Sequence, residues 1–132
     1  GTLAVYVAQS AATATGPQVA AVQAYIDTVR PVTDSPTVTA ATAVTVNVTA
    51  TIYVLAASDS TANRALATDA MSAYINGLDL GDATVDVVKL GAAIYAAAGI
   101  RDVDVVIPAA DVSISAGQVA VVGTYTLTWT TV

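Results

Sequence analysis

The run TAVTVNVTATIYVL, Thr42 to Leu55, alternates more strictly than any other stretch of this chain. Val44, Val46, Val48, Ala50, Ile52 and Val54 fall on one side, and Thr45, Asn47, Thr49, Thr51 and Tyr53 on the other. That is the period-two pattern of a strand with one face in a core and one open to water. At about 14 residues it is far longer than the usual strand of roughly 5–6 residues. It predicts a strand that crosses a whole sheet and offers its aliphatic face to several helices.

The remaining segments arrange themselves around this strand. Leu3 to Ala8 is β-branched and aromatic in character and reads as a short strand. Gln9 to Gly16 is a small, polar loop. Pro17 then occupies a first helical position, and Val19, Val22, Ile26 and Val29 follow at spacings of three and four, the stripe of an amphipathic helix. Arg30-Pro31 ends it, because the residue before proline is driven out of the α region. Val32 to Ala41 reads as extended and irregular.

Ser58-Asp59-Ser60 supplies capping side chains for a second helix, with Leu66, Ala70, Met71, Tyr74 and Leu78 as its inner stripe and Asn76-Gly77 as its stop. Leu78 to Thr84 reads as a loop. Asp86 caps a third, shorter helix that turns Leu90, Ala93, Ile94 and Ala97 inward and ends near Gly99. IRDVDVVI, Ile100 to Ile107, alternates and is closed by Pro108. Val112 to Ser115 and Val119 to Val122 form a hairpin-like pair around Ala116-Gly117, and Gly123 to Thr130 makes a last strand. The order predicts an α+β fold, a two-layer sandwich in which helices cover one face of a mixed or mostly antiparallel sheet and the other face is rich in Thr.

Charge and missing residue types narrow the function. The chain has 132 residues, 55% of them hydrophobic, which fits one domain over residues 1–132 with a single core. Ten acidic residues, all Asp, outweigh four cations (Arg30, Arg64, Lys89 and Arg101) for a net charge of −6. Such a surface repels phosphate backbones and anionic bilayers, so nucleic acid and membrane are not expected partners. No apolar run approaches the roughly 20 residues of a membrane-crossing helix, so the mean hydropathy of +0.69 is read as a core signal. The N-terminus passes from Gly1-Thr2 straight into a strand, with no basic and apolar leader pattern, and predicts a domain cut from a longer protein.

The sequence contains no Cys, His, Glu or Phe, so there is no disulfide framework or thiolate metal site, and the usual nucleophile–base pairs lack their parts. Lys89 reads as a solvated helix-surface lysine. Asp102 and Asp104 share one strand face, and Asp79, Asp82 and Asp86 are close in sequence. Oxygen ligands of this kind can hold Ca²⁺, but the spacing does not match an acidic calcium loop. Acid on an exposed strand also discourages edge-to-edge aggregation. Phosphate-binding glycine loops are absent from the sequence, and Asn47-Val48-Thr49, a glycosylation sequon, lies in mid-strand. No catalytic, cofactor-binding or metal-binding residue is therefore assigned. Tyr53 lies on the polar side of the long strand, and Tyr125 and Trp129 lie near the C-terminus. These three are the candidate interface residues, with Tyr125 and Trp129 able alternatively to cover the end of the core.

In order, these pieces resemble a known family. VYVAQSAATATGPQVAAVQAYIDTVRPVTDSPTVTAATAVTVNVTATIYV is similar to the C-terminal region of the baseplate J-like proteins, the Mu-type baseplate wedge subunits of contractile-tailed phages. In that family a helix ends in a D-x-x-R-P-[LV]-T element, here Asp27 to Thr33, and an extended segment leads into a long Val/Thr strand. Val85, Leu90, Ile94, Gly99, Ile100 and Val103 match a following pattern, and Gly117 to Leu127 match the family's closing strand. The resemblance runs from Val5 to Leu127, while family members are usually much longer.

The resemblance implies a non-enzymatic virion structural protein of a phage or prophage-derived contractile tail. Its domain would act through contacts with other baseplate wedge subunits, without a cofactor, and as a possible homo-oligomer in the full-length protein. Its implied place is the virion tail baseplate, after assembly in the cytoplasm of the host bacterium. The alternative is a carbohydrate-binding or adhesion module of a bacterial surface protein, which the Thr-rich strands and Tyr53 would suit.

Overall fold

The computed structural model describes residues 2–9, 12–81 and 83–132. Among the described residues, eight strands and three helices follow in the order β1 (Thr2–Gln9), β2 (Ala12–Thr13), α1 (Gly16–Val29), β3 (Ser35–Ala40), β4 (Thr42–Val54), α2 (Thr61–Asn76), β5 (Ala83–Val85), α3 (Val87–Tyr95), β6 (Ile100–Ile107), β7 (Val112–Ile114) and β8 (Gln118–Thr131). A short 3-10 turn, Ala56–Ser58, separates β4 from α2.

β4 is the expected long strand. Val46, Val48, Ala50, Ile52 and Val54 are all 2% exposed or less, while Thr45 and Asn47 are open and Thr49, Thr51 and Tyr53 are half-buried. β6 pairs with it antiparallel and β8 parallel, giving the mixed order β6-β4-β8. A parallel partner needs a long crossover to return the chain to the same end, and the segment carrying α2 and α3 is part of it. Both helices lie on the aliphatic face: Ala67, Met71 and Ile75 of α2 and Leu90 and Ile94 of α3 join Val46, Val48 and Ile52 in one core. The molecule is α+β, with these helices covering one face of the mixed sheet.

Local signals account for the helix ends. Ser60 Oγ accepts the Asn63 N–H at 3.2 Å, and Asp86 Oδ1 accepts those of Val88 and Lys89 at 2.9 and 3.1 Å, satisfying donors that a helix start leaves without partners. Asp86→Ala is expected to lower unfolding stability by about 1 kcal/mol, and Asp86→Ser to retain most of it. Urea midpoints of the two variants check this, and equal midpoints for wild type and Asp86→Ala would remove the cap from the account.

The inner stripe of α2 is one residue away from the expected one. Ala67, Met71 and Ile75 are buried, Ala70 is only half-buried and Leu66 is largely exposed. This rotation encloses two large apolar side chains and leaves Tyr74 at the rim, where its hydroxyl accepts the Asp86 N–H at 3.0 Å. A fully enclosed tyrosine hydroxyl would need another partner.

Val32 to Ala41, expected to be extended and irregular, contains a regular strand. β3 pairs parallel with β1 in the register Thr2↔Ser35 to Val7↔Ala40, and α1 crosses between them. β2 adds to the other side of β1. Pro36 is tolerated because β3 is at the sheet edge. The Gln23 side chain of α1 satisfies β3 backbone groups, donating to Pro36 O and accepting from Val38 N–H at 3.1 and 2.8 Å. In α1, Val19, Val22 and Ile26 are half-buried while Val29, expected in the stripe, is exposed.

The expected C-terminal hairpin does not form. β7 pairs antiparallel with β5, which begins within the expected Leu78–Thr84 loop and runs one residue past it, and this brings Val85 and Ile114 into the core. The turn at Gly117 is present, with φ +74° and Gln118 N–H bonded to Ser115 O at 3.0 Å. After it the chain runs along β4 as one 14-residue strand. A bulge interrupts that pairing: Val46 faces Val122, but Val48 faces Tyr125. Asn47 Oδ1 accepts the Thr124 N–H there at 3.0 Å, and a Cβ at Gly123 would collide with Asn47 Oδ1 and Thr45 Cγ2.

Candidate interaction surface

The strand registers define both faces of the main sheet. On the helix-covered side, Val105, Ala50 and Leu127 form one row and Val103, Ile52 and Trp129 the next. On the open side, the rows are Ile107–Thr49–Thr126, Asp104–Thr51–Thr128 and Asp102–Tyr53–Thr130. Tyr53 is thus the aromatic side chain in a field of hydroxyls and carboxylates. It is half-buried, while Asp102, Asp104, Thr126, Thr128 and Thr130 are exposed. Such a face offers hydrogen-bonding groups around one amphipathic ring, and tyrosine is among the residues enriched at protein contacts.

Tyr125 and Trp129 do not join Tyr53. Their register partners, Val48 and Ile52, point into the core, so both lie on the helix side of β8. Tyr125 is about half exposed. Trp129 is half-buried and packs on the core cluster, with the Arg64 guanidinium 5.2 Å from its ring centre. Arg64 also grips Asp59 with two bonds, Nε to Oδ1 at 2.7 Å and NH2 to Oδ2 at 2.8 Å. These bonds, chiefly, and the guanidinium charge hold the Asp59 carboxyl below the usual carboxylate range, against partial desolvation. The fork geometry that pairs with a carboxylate also stacks on an indole, so Arg64 ties the start of α2 to the end of β8. In the sequence Arg64 stands out only as one of four cations. The spacing Asp59 to Arg64 across a helix start was the available clue, but nothing in it pointed to Trp129.

Lys89 is exposed on α3, as are Asp102 and Asp104 on β6. The sequence grouping of Asp79, Asp82 and Asp86 includes Asp82, which lies outside the described residues. Among the described residues no three acidic side chains gather closely enough to hold a metal ion. Asp86 is committed to its cap, and Asp111 Oδ1 accepts the Val87 N–H at 2.9 Å. No helix is long and apolar enough to cross a membrane among the described residues.

The fold is a mixed sheet backed by two helices, with a hydroxyl-rich face that carries Tyr53. Residues 46–128 match the model of the Baseplate J-like protein C-terminal domain, more than half of the chain, and the chain belongs to that family. The match begins within β4 and ends within β8, so it takes in the three-stranded sheet and both of its helices. Its role is structural, in the phage tail baseplate. No curated protein matches the chain.

Proposed function

We propose that this domain is part of a wedge subunit in the baseplate of a contractile tail, phage-borne or prophage-derived, and that it acts without catalysis by docking on neighbouring wedge proteins. The observation that carries the reading is the open face of β6-β4-β8, where Tyr53 stands between Asp102 and Thr130 on a rigid sheet whose other face is packed by helices. Tyr53 is its anchor, and Tyr125 and Trp129 form a separate contact region at the end of β8. The partners are other wedge subunits, nucleic acid and membrane play no part, and copies of the full-length protein self-associate within the wedge. Assembly takes place in the host cytoplasm and ends in the virion tail.

The test is a Tyr53→Ala change in the full-length protein of the producing phage, with quantitative mass spectrometry of purified tails. An anchor of this kind contributes about 2 kcal/mol, so the protein's ratio to the other tail components should fall steeply, while the domain's melting temperature falls by only a few degrees, the cost of about 1 kcal/mol for losing a half-buried strand tyrosine. An unaltered ratio would remove Tyr53 from the interface. Absence of the wild-type protein from tails, together with glycan-array binding that Tyr53→Ala abolishes, would replace the wedge by the adhesion reading.

A further inference from the structure

β6 is an edge strand. Among the described residues it pairs with β4 alone, so alternate N–H and C=O groups along Ile100–Ile107 face outward without a strand partner, and the Asp102 carboxylate accepts the Val103 N–H at 2.9 Å. Beside this edge runs a groove of about 420 Å³. Its floor is Val103 and Val105, its wall is Val88, Gly91, Ala92 and Tyr95 of α3, and Asp102 sits at its rim. Val88 is 80% exposed and Tyr95 54%, an apolar strip that no described residue covers. Gly91 opens the wall: a Cβ there would reach ordinary contact with Val105 Cγ2 at 3.6 Å.

We infer that the β6 edge and this groove form a docking site for one extended segment of a different protein, which adds as a strand to β6 and carries alternating apolar and basic side chains. Side chains on successive strand residues point to opposite faces. Every second residue of an added strand therefore enters the apolar groove, and those between lie beside Asp104 and Asp102 on the open face. Apolar residues suit the first set and Lys or Arg the second, since opposite charges across neighbouring strands are favourable.

The same charges disfavour a second copy of this edge. Two β6 strands side by side would bring Asp102 and Asp104 against Asp102 and Asp104, a repulsive arrangement. Arg101 lies on β6 where the β4–β6 register shifts, and Lys89 is not among the groove residues. The inference rests on the edge and the groove, and is independent of the role of Tyr53.

The test uses a capped peptide of alternating lysine and valine as long as β6, with glutamate–valine and lysine–serine peptides for comparison, titrated into the intact chain. The expected result is binding of the lysine–valine peptide, at least about tenfold tighter than either comparison peptide, with slowed amide exchange confined to β6. Ala92→Glu, on the exposed side of α3, should weaken binding about tenfold, and Asp102→Lys with Asp104→Lys should reverse the preference between lysine and glutamate. Equal affinity for all three peptides, or binding that leaves β6 exchange unchanged, overturns the proposal. So does concentration-dependent protection of β6 without peptide, which would mean that the edge is filled by another copy of the chain.

Discussion

Gly99→Ala is expected to destabilise the fold by about 2–5 kcal/mol, from a left-handed backbone that alanine adopts at a cost of about 1–2 kcal/mol and from overpacking of about 1–3 kcal/mol. Gly99 has φ +79° at the turn between α3 and β6. A Cβ at this position would overlap Ser58 Cβ and Oγ. The backbones are joined here as well, since Leu55 N–H bonds to Gly99 O at 3.0 Å, so the turn cannot back away without releasing the end of β4. A domain of this size is stable by only about 5–15 kcal/mol, and the loss is a large share of the total. Thermal and urea unfolding of the variant should show a lower midpoint with an unchanged slope.

The two contributions separate in a double-mutant cycle. Ser58→Gly removes the atoms that an alanine at position 99 would strike and leaves the backbone term. Adding Ser58→Gly to Gly99→Ala should therefore recover about half of the loss, whereas Ser58→Gly alone should change little beyond the flexibility of the short 3-10 turn. No recovery would mean that the collision is relieved elsewhere, and that the left-handed backbone accounts for the whole effect.

How much of this fold was legible depended on whether a signal was local. The alternation of β4, the Ser60 and Asp86 caps, and the glycine at the end of α3 are each written in a few consecutive residues, and the structure has all of them. Pairing partners are not local. Val112–Ile114 faces a tight turn and reads as half of a hairpin, yet it pairs with Ala83–Val85 because that route carries Val85 and Ile114 into the core.

The bulge had a subtler effect. Before it the inward residues of β8 are the even positions Ala120 and Val122; after it they are the odd positions Tyr125, Leu127 and Trp129. A change of phase at Gly123 looks in sequence like the end of one strand and the start of another. The bulge is pinned by Asn47, which is distant in sequence, so nothing near Gly123 announced it. β3 carries no comparable local signal, because its edge groups are satisfied by Gln23, a side chain on another element.

The candidate surface divided along the same line. Tyr53 could be placed on the polar face from β4 alone. The acid and hydroxyl neighbours on either side required the register of β6 and β8. The separation of Tyr53 from Tyr125 and Trp129 followed from that register, because the bulge returns the two C-terminal aromatics to the helix side of the sheet. The family match independently covers the elements that form this face, from within β4 to within β8.

Ile52→Ala is expected to destabilise by about 2–5 kcal/mol, the range for truncating a fully buried isoleucine whose surroundings cannot collapse into the cavity. Ile52 is 0% exposed. Val103 and Trp129 flank it in the same row, and it shares the core with side chains from both α2 and α3. Collapse is restricted because Arg64 over Trp129 and the Gly99 turn hold the end of β4 and its neighbours in place. Thr51→Val, one residue away on the open face, changes the other side of the same strand with a residue of equal β preference, and should shift stability by no more than about 0.5 kcal/mol. The pair measures the asymmetry of β4 directly: a large loss at 52 with none at 51 is the expected result in urea titrations of the two variants. Comparable losses would mean that the Thr-rich side is itself packed, and an open face for docking would no longer exist.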